Sequence, residues 1–165
     1  MKYHVWFILA ALWLTSCGGG RAPATPVAQV VCTPVVRQAD VAQTAIEAGA
    51  VVVYERIGEA TCVDELWTFY PDGRIEGDNG HTTVEKTVAP EEVSTLLAEI
   101  DELGFFDLTS TKHTACKECF AYQITVSHGD QVKTVSAVDG GTDTPGEYWQ
   151  VFAKIKRLLP EFSEE

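Results

Sequence analysis

A chain of 165 residues with a formal net charge of −12 carries 12 basic residues and 24 acidic ones. This balance excludes a nucleic-acid-binding protein, because too few lysines and arginines are present to neutralise phosphates. It also excludes electrostatic attachment to anionic lipids, which repel an acidic surface. The length suits one folded domain with a tether.

The first segment of the chain is apolar and ends at a cysteine. Its apolar run over residues 5–14 is too short for a bilayer, since a spanning helix needs roughly 20 residues. The run ends in Leu14-Thr15-Ser16-Cys17, and the glycines at 18–20 argue against a helix that continues. A buried N-terminal helix with an ordinary cysteine, and a secretory signal with a free Cys17, are the two alternatives.

The sequence Leu14-Thr15-Ser16-Cys17 resembles the lipobox of bacterial lipoproteins, in which an aliphatic residue and two small residues precede the modified cysteine. The resemblance implies that residues 1–16 are a lipoprotein signal peptide and that Cys17 becomes a diacylglycerol cysteine, often with a further acyl chain such as palmitate. Two or more acyl chains anchor a protein stably. The implied location is the extracytoplasmic side of the cell membrane, and Gly18 favours the outer membrane where there are two.

Residues 17–49 are predicted to form the lipidated N-terminus and a tether rich in proline, glycine and alanine. Prolines at positions 23, 26 and 34 interrupt any regular element, so the segment spaces a folded domain from the membrane. A weak helical pattern covers residues 39–48. Cys32 lies inside this tether and can tie it back to the domain.

Four short strands are predicted at the start of the folded domain, which spans residues 50–160 and leaves 161–165 as an acidic tail. Apolar residues alternate with polar ones between glycine-containing turns, a pattern typical of antiparallel hairpins. The strongest turn signal is Pro71-Asp72-Gly73. The expected strands cover residues 51–56, 62–70, 74–77 and 82–88.

Two amphipathic helices and a second hairpin complete the pattern, and Thr144 is the expected N-cap of the last helix. The expected elements are a helix over 90–103, strands over 120–126 and 132–138, and a helix over 144–159. The order ββββα-ββα predicts an α+β fold. In this fold an antiparallel sheet built from hairpins carries both helices on one face, as a two-layer sandwich.

Within the domain, three pieces resemble a group of small uncharacterised domains found in bacterial lipoproteins. They are Val53-Tyr54-Glu55-Arg56, Cys62-Val63-Asp64-Glu65-Leu66 and Tyr70-Pro71-Asp72-Gly73, followed by a helix and a Phe-Phe-x-Leu step. The resemblance covers about residues 50–160. It implies an exported, tethered domain and no known activity.

The cysteines other than Cys17 offer the most compact candidate site. Cys32, Cys62, Cys116 and Cys119 allow three complete disulfide pairings, and an exported compartment permits disulfides. Structural disulfides are therefore the expected state. A redox pair at Cys116-Lys117-Glu118-Cys119 is one alternative. A zinc site that adds His113 and either Cys62 or His81 to this pair is another.

Other candidate residues carry weaker patterns. Asp64 and Glu65 are neighbours on a strand, so their side chains point to opposite faces and cannot share a site. The loop Asp139-Gly140-Gly141-Thr142-Asp143 offers oxygens but lacks the regular spacing of a calcium loop, so a turn is expected.

We therefore expect a membrane-tethered, exported domain without catalytic residues, metal or cofactor. Its expected role is to bind an envelope protein or ligand, or to stabilise an assembly of the cell envelope. The lipid on Cys17 is its expected membrane contact, and no nucleic acid is expected as a partner. The alternative is a thiol redox or zinc-binding protein that uses Cys116 and Cys119.

Overall fold

The computed structural model describes residues 41–58, 63–111, 119–139 and 143–162. Six strands and three α-helices lie within these ranges, with a 3-10 turn at Phe105–Asp107. The strands are β1 Val52–Gly58, β2 Val63–Phe69, β3 Arg74–Asp78, β4 Thr83–Thr87, β5 Ala121–His128 and β6 Gln131–Val138. The helices are α1 Val41–Glu47, α2 Pro90–Glu102 and α3 Gly146–Leu158.

All six strands form one antiparallel sheet in the order β4-β3-β2-β1-β5-β6. The first four strands follow one another through hairpins, and the β5–β6 hairpin joins the sheet at β1. Consequently β1 lies inside the sheet, while β4 and β6 are its two edges. The α+β fold with a hairpin-built antiparallel sheet is confirmed.

One face of the sheet is covered by α2 and α3. Alternate strand residues such as Tyr54, Trp67 and Phe69 are buried beneath the apolar stripes of these helices. The stripes, from Val93 to Ile100 and from Tyr148 to Leu158, are buried at helical spacing. We call this the covered face. Its buried aromatic and aliphatic side chains together form the main hydrophobic core of the fold.

The close approach of β3 to β2 depends on Gly77. A Cβ atom built on Gly77 would lie 2.3 Å from Cζ3 of the Trp67 indole, which is itself 1% exposed. Register places these two residues directly opposite each other. Because the indole is enclosed by the core, it has no space into which it can retreat, and glycine is required here.

The start and end of the folded domain extend past the predicted limits. The helical pattern expected at 39–48 forms α1, whose Ala42 packs with Ala50 and with Val53 of β1 on the second face of the sheet. This places residues from 41 onward on the domain, although they were assigned to the tether. At the other end, the Phe162 ring lies 4.7 Å from the Trp67 ring, so the segment predicted as an acidic tail reaches the core.

The beginning of α3 also differs from the prediction. Thr144 was expected to cap the helix, but α3 begins at Gly146 with Pro145 in the N-cap position. The hydroxyl of Thr144 instead lies 3.0 Å from the hydroxyl of Thr111. This contact ties the start of α3 to the segment that precedes β5, so a tertiary hydrogen bond replaces the local cap.

Candidate functional site

The second face of the sheet is polar where β2, β3 and β4 form it. Register puts Thr68, Glu76 and Glu85 in one row across these strands, and Leu66, Asp78 and Thr83 in the next. Their side chains point away from α2 and α3, because the residues between them belong to the covered face. We call this surface the open face.

A cleft of about 430 Å³ lies on the open face. Its residues come from three neighbouring strands, so the sheet itself forms its floor. They are Leu66, Thr68, Glu76, Gly77, Asp78, Thr83, Val84 and Glu85. The apolar cluster around α1 includes Leu66, so the cleft extends from the edge of that cluster towards β4. Three carboxylates and two threonine hydroxyls give it a polar, acidic lining suited to a cationic or hydrogen-bonding group.

One carboxylate of the cleft is held by neighbouring side chains. Arg74 forms an ion pair with Glu76, and the Tyr70 hydroxyl donates a hydrogen bond to the other oxygen of Glu76 at 3.1 Å. The Arg74 guanidinium also stacks on the Tyr70 ring, 3.5 Å from its centre. These contacts fix the orientation of Glu76, so this wall of the cleft is ordered before any ligand arrives.

A second carboxylate of the cleft, that of Glu85, lies beside Glu76 on the neighbouring strand. Glu85 is exposed and lies directly opposite Glu76 in the β3–β4 register. Like charges at opposite positions destabilise a strand pair, so Arg74 relieves part of this repulsion. The one lysine of β4 does not contribute, because Lys86 lies on the covered face and donates to the Leu158 carbonyl at 2.9 Å.

The turn between β3 and β4 connects two residues that line the cleft, Asp78 and Thr83. Asp78 accepts a hydrogen bond from the Gly80 amide at 2.7 Å. Asn79 accepts from the amides of His81 and Thr82, at 3.1 and 2.8 Å. Side chains therefore satisfy the backbone of the turn and keep its shape.

Of the predicted cysteines, the structure describes Cys119, which directly precedes β5 and is disulfide-bonded. Cys17, Cys32, Cys62 and Cys116 lie outside the described residues. The lipid attachment and the disulfide pairing therefore stay predictions.

Of the residues named for the zinc alternative, the structure describes His81 and Cys119. His81 is exposed in the β3–β4 turn, while His113 lies outside the described ranges. Within those ranges, no group of three His, Cys, Asp or Glu side chains is arranged to hold a metal ion. Residues 140–142 of the predicted turn at 139–143 also lie outside them.

Glu65 and Asp64 lie on opposite faces of β2, as the sequence predicted. Glu65 is on the covered face and forms an ion pair with Arg56 of β1 at 3.1 Å. The Arg56 guanidinium also lies over the Phe120 ring, 4.0 Å from its centre. Sequence reasoning missed this pair, because it depends on the register of two strands whose connecting turn carries no strong signal.

Two tyrosine hydroxyls are buried beneath α3 without a hydrogen-bond partner among the described residues, those of Tyr54 and Tyr148. Burial raises the pKa of both groups. The nearby Glu65 carboxylate adds to the increase for Tyr54. Phenols in this setting stay neutral and contribute to packing.

An ion-pair network fastens α3 to α2 at the surface of the covered face. Glu99 of α2 accepts from Lys154 at 2.6 Å and from Arg157 at 3.2 Å, both on α3. The hydrogen bond from Lys154 is the largest cause that lowers the pKa of Glu99. These contacts orient the two helices against each other, which marks them as structural.

Among the residues that the structure describes, none of the helices has the length and apolar character needed to cross a membrane. No protein-family model matches the chain, and no curated protein matches it.

Proposed function

We propose that this protein is a lipid-anchored, extracytoplasmic binding module that holds its ligand on the open face of the sheet. The observation that carries the proposal is the cleft of about 430 Å³ on that face, whose polar lining includes Thr68, Glu76 and Glu85. Arg74 and Tyr70 hold one wall of the cleft in place. A preformed surface loses little conformational freedom on binding, which favours recognition.

The anchor in this proposal is the lipid on Cys17. The lipobox-like sequence Leu14-Thr15-Ser16-Cys17 supports it, and so does the acidic composition, since a chain of charge −12 needs a lipid to stay at an anionic surface. The residues between Cys17 and α1 would serve as the tether. In this arrangement the lipid fixes the location, and the open face remains available to an envelope partner.

The anchor is tested by Cys17→Ser in cells that are fed labelled palmitate. The unmodified protein is expected to take up the label and to sediment with membranes. The variant is expected to lose the label. It should then either retain its signal peptide or appear in the soluble fraction. An unchanged label and fractionation in the variant would contradict the lipoprotein assignment.

The binding surface is tested by a photo-crosslinking residue at Thr83, which is exposed at the cleft and whose replacement leaves the carboxylates of the cleft in place. The matched control carries the same residue at Asp101, which is exposed on α2 beside the covered face. In intact cells the Thr83 position is expected to give a discrete adduct, and the Asp101 position is not. Equal or absent crosslinking at both positions would contradict a role for the open face.

A further inference from the structure

The outer edge of the sheet at β4 presents backbone groups in a fixed alternation. In an antiparallel pair, alternate residues of an edge strand bond to the neighbour, and those between them point outward. The Val88 amide donates to the Gly73 carbonyl at 2.9 Å, which sets the phase of the alternation. Val84 and Lys86 therefore bond towards β3, while the amides and carbonyls of Thr83, Glu85 and Thr87 point away from the sheet.

The two edges of the sheet differ in how they are covered. On β6, Ser136 is paired along its outer side: its carbonyl accepts from the Thr111 amide at 2.9 Å, and its amide donates to the Ser110 hydroxyl at 3.0 Å. Within the described chain, the outward backbone groups of β4 make no such bonds. An uncovered edge is a template for another strand.

The acidic side chains beside the β4 edge favour an added strand that carries positive charge. The side chains of Thr83, Glu85 and Thr87 lie on the open face, so an added strand would place every second side chain beside the cleft. At that position Glu85 and Glu76 stand opposite each other, and Arg74 is engaged by Glu76 and the Tyr70 ring. A cation supplied from outside would complete the charge balance of this row.

We propose that the β4 edge binds an extended, basic peptide segment of a partner protein as an additional strand of the sheet. This inference rests on the proposed function and names the class of its ligand. Backbone bonds to Thr83, Glu85 and Thr87 hold the segment in register. Lysine or arginine at alternate positions reaches the carboxylates of the cleft, and the intervening side chains lie on the side of Lys86 and are uncharged.

The probe for this proposal is a short synthetic peptide in which lysine alternates with threonine. Two peptides serve as controls: one with glutamate in place of lysine, and one in which the same lysines and threonines stand in two blocks. Calorimetric titration of the full chain at low salt is expected to show saturable binding of the alternating basic peptide alone. Binding should weaken as salt is added.

Backbone bonding is tested with Thr83→Pro and Thr87→Pro, which remove outward amides without changing charge or the bonds to β3. Each is expected to weaken binding of the basic peptide by about tenfold. The matched control is Val132→Pro on β6, a residue that is 51% exposed and has its amide directed away from β5. This control should bind the peptide as the unmodified chain does.

The charge contribution is tested with Glu85→Gln, which leaves the backbone unchanged and is expected to reduce both the affinity and its salt dependence. This variant decides the question if either proline variant fails to fold. The proposal is overturned if the basic peptide shows no binding at about 1 mM, if a control peptide binds equally well, or if folded Thr83→Pro and Thr87→Pro variants keep full affinity. Self-association abolished by Thr87→Pro would assign the edge to a second copy and would also overturn it.

The two proposals fail in different experiments. If the basic peptide does not bind, but Cys17 carries the palmitate label and position 83 gives a specific adduct, the basic-strand inference is wrong and the binding-module proposal stands. If Cys17 carries no lipid label, but the peptide binds and Thr87→Pro weakens that binding, the anchor proposal is wrong and the edge-strand proposal stands.

Discussion

The covered face and the open face of one sheet have opposite chemistry, although neighbouring residues of the same strands build them. Trp67 is buried under the helices with the Phe162 ring against it, while Thr68, the next residue, lines the cleft on the other side. Strand alternation makes this separation possible, since residue types on one face can vary without disturbing the other. The fold thus buries its large apolar side chains on one surface and leaves a polar cleft on the part of the other surface that β2, β3 and β4 form.

The clearest test of this division removes the largest side chain from the covered face. Trp67→Ala is expected to lower the free energy of unfolding by about 3–5 kcal/mol, because it leaves a cavity in the core. Thr68→Ala at the next residue should cost well under half as much. Urea unfolding followed by circular dichroism measures both. Equal losses of unfolding free energy in the two variants would mean that both faces stabilise the fold to the same extent.

A second change adds one carbon atom to the covered face at Gly77. In Gly77→Ala the new methyl group meets the Trp67 ring, and overpacking of this kind costs about 1–3 kcal/mol. The double variant Gly77→Ala with Trp67→Leu should recover part of the loss, because the smaller side chain leaves room. A fully stable Gly77→Ala protein would contradict the close approach of β3 to the indole.

The buried tyrosines give a smaller effect that depends on pH. Tyr148→Phe removes a hydroxyl that has no partner among the described residues, so stability at neutral pH should be unchanged or rise by about 1 kcal/mol. Burial raises the pKa of Tyr148 above its value of about 10 in the unfolded chain. The unmodified chain therefore keeps its full stability below about pH 10 and loses stability as the pH rises above it, because the unfolded chain gives up this proton first. The variant should therefore resist alkaline unfolding better than the unmodified chain.

Alkaline unfolding monitored by fluorescence checks this expectation. Tyr70→Phe serves as the control for a tyrosine of the open face, where the hydroxyl donates to Glu76. That change removes a bonded hydroxyl and weakens the wall of the cleft, so it should lower stability at neutral pH rather than raise it. A Tyr148→Phe protein that unfolds at lower pH than the unmodified chain would show that the buried hydroxyl has a stabilising partner.

The smallest effect is expected for the ion pairs between α2 and α3. Lys154 and Arg157 lower the pKa of Glu99, so the ionised carboxylate stabilises the fold above the pKa of about 4.3 that a glutamate has in the unfolded chain. This stabilisation is lost as the pH falls through the lowered pKa. Glu99→Gln should therefore destabilise the chain slightly at neutral pH and not at all in strong acid. Thermal unfolding across the acid range measures the difference, and a constant difference at every pH would contradict the ion pairs.

Local sequence patterns predicted the elements and their faces well. Alternation of apolar and polar residues predicted the antiparallel hairpins, and the Pro71-Asp72-Gly73 turn defined the hairpin that sets Thr68 opposite Glu76. Helical spacing identified α2 and α3 with their buried stripes. These features depend on contacts close in sequence, which explains why they can be read from it.

The arrangement of distant parts could not be read in the same way. The pairing of β1 with β5 joins segments that local patterns treat separately, and it decides that β4 and β6 are the edges. The docking of α1 and of Phe162 depends on surfaces that exist only after the sheet has formed. The cleft was missed for this reason, since its residues look like ordinary exposed positions of three strands.

Hydrogen exchange of the β4 amides, measured residue by residue in the full chain, shows whether the β4 edge is open and whether it accepts a strand. We expect the amides of Thr83, Glu85 and Thr87 to exchange rapidly while those of Val84 and Lys86 are protected. The alternating basic peptide should then protect the first group as well. Slow exchange at Thr83, Glu85 and Thr87 in the free protein, or no change on adding the peptide, would contradict an open edge that accepts a strand.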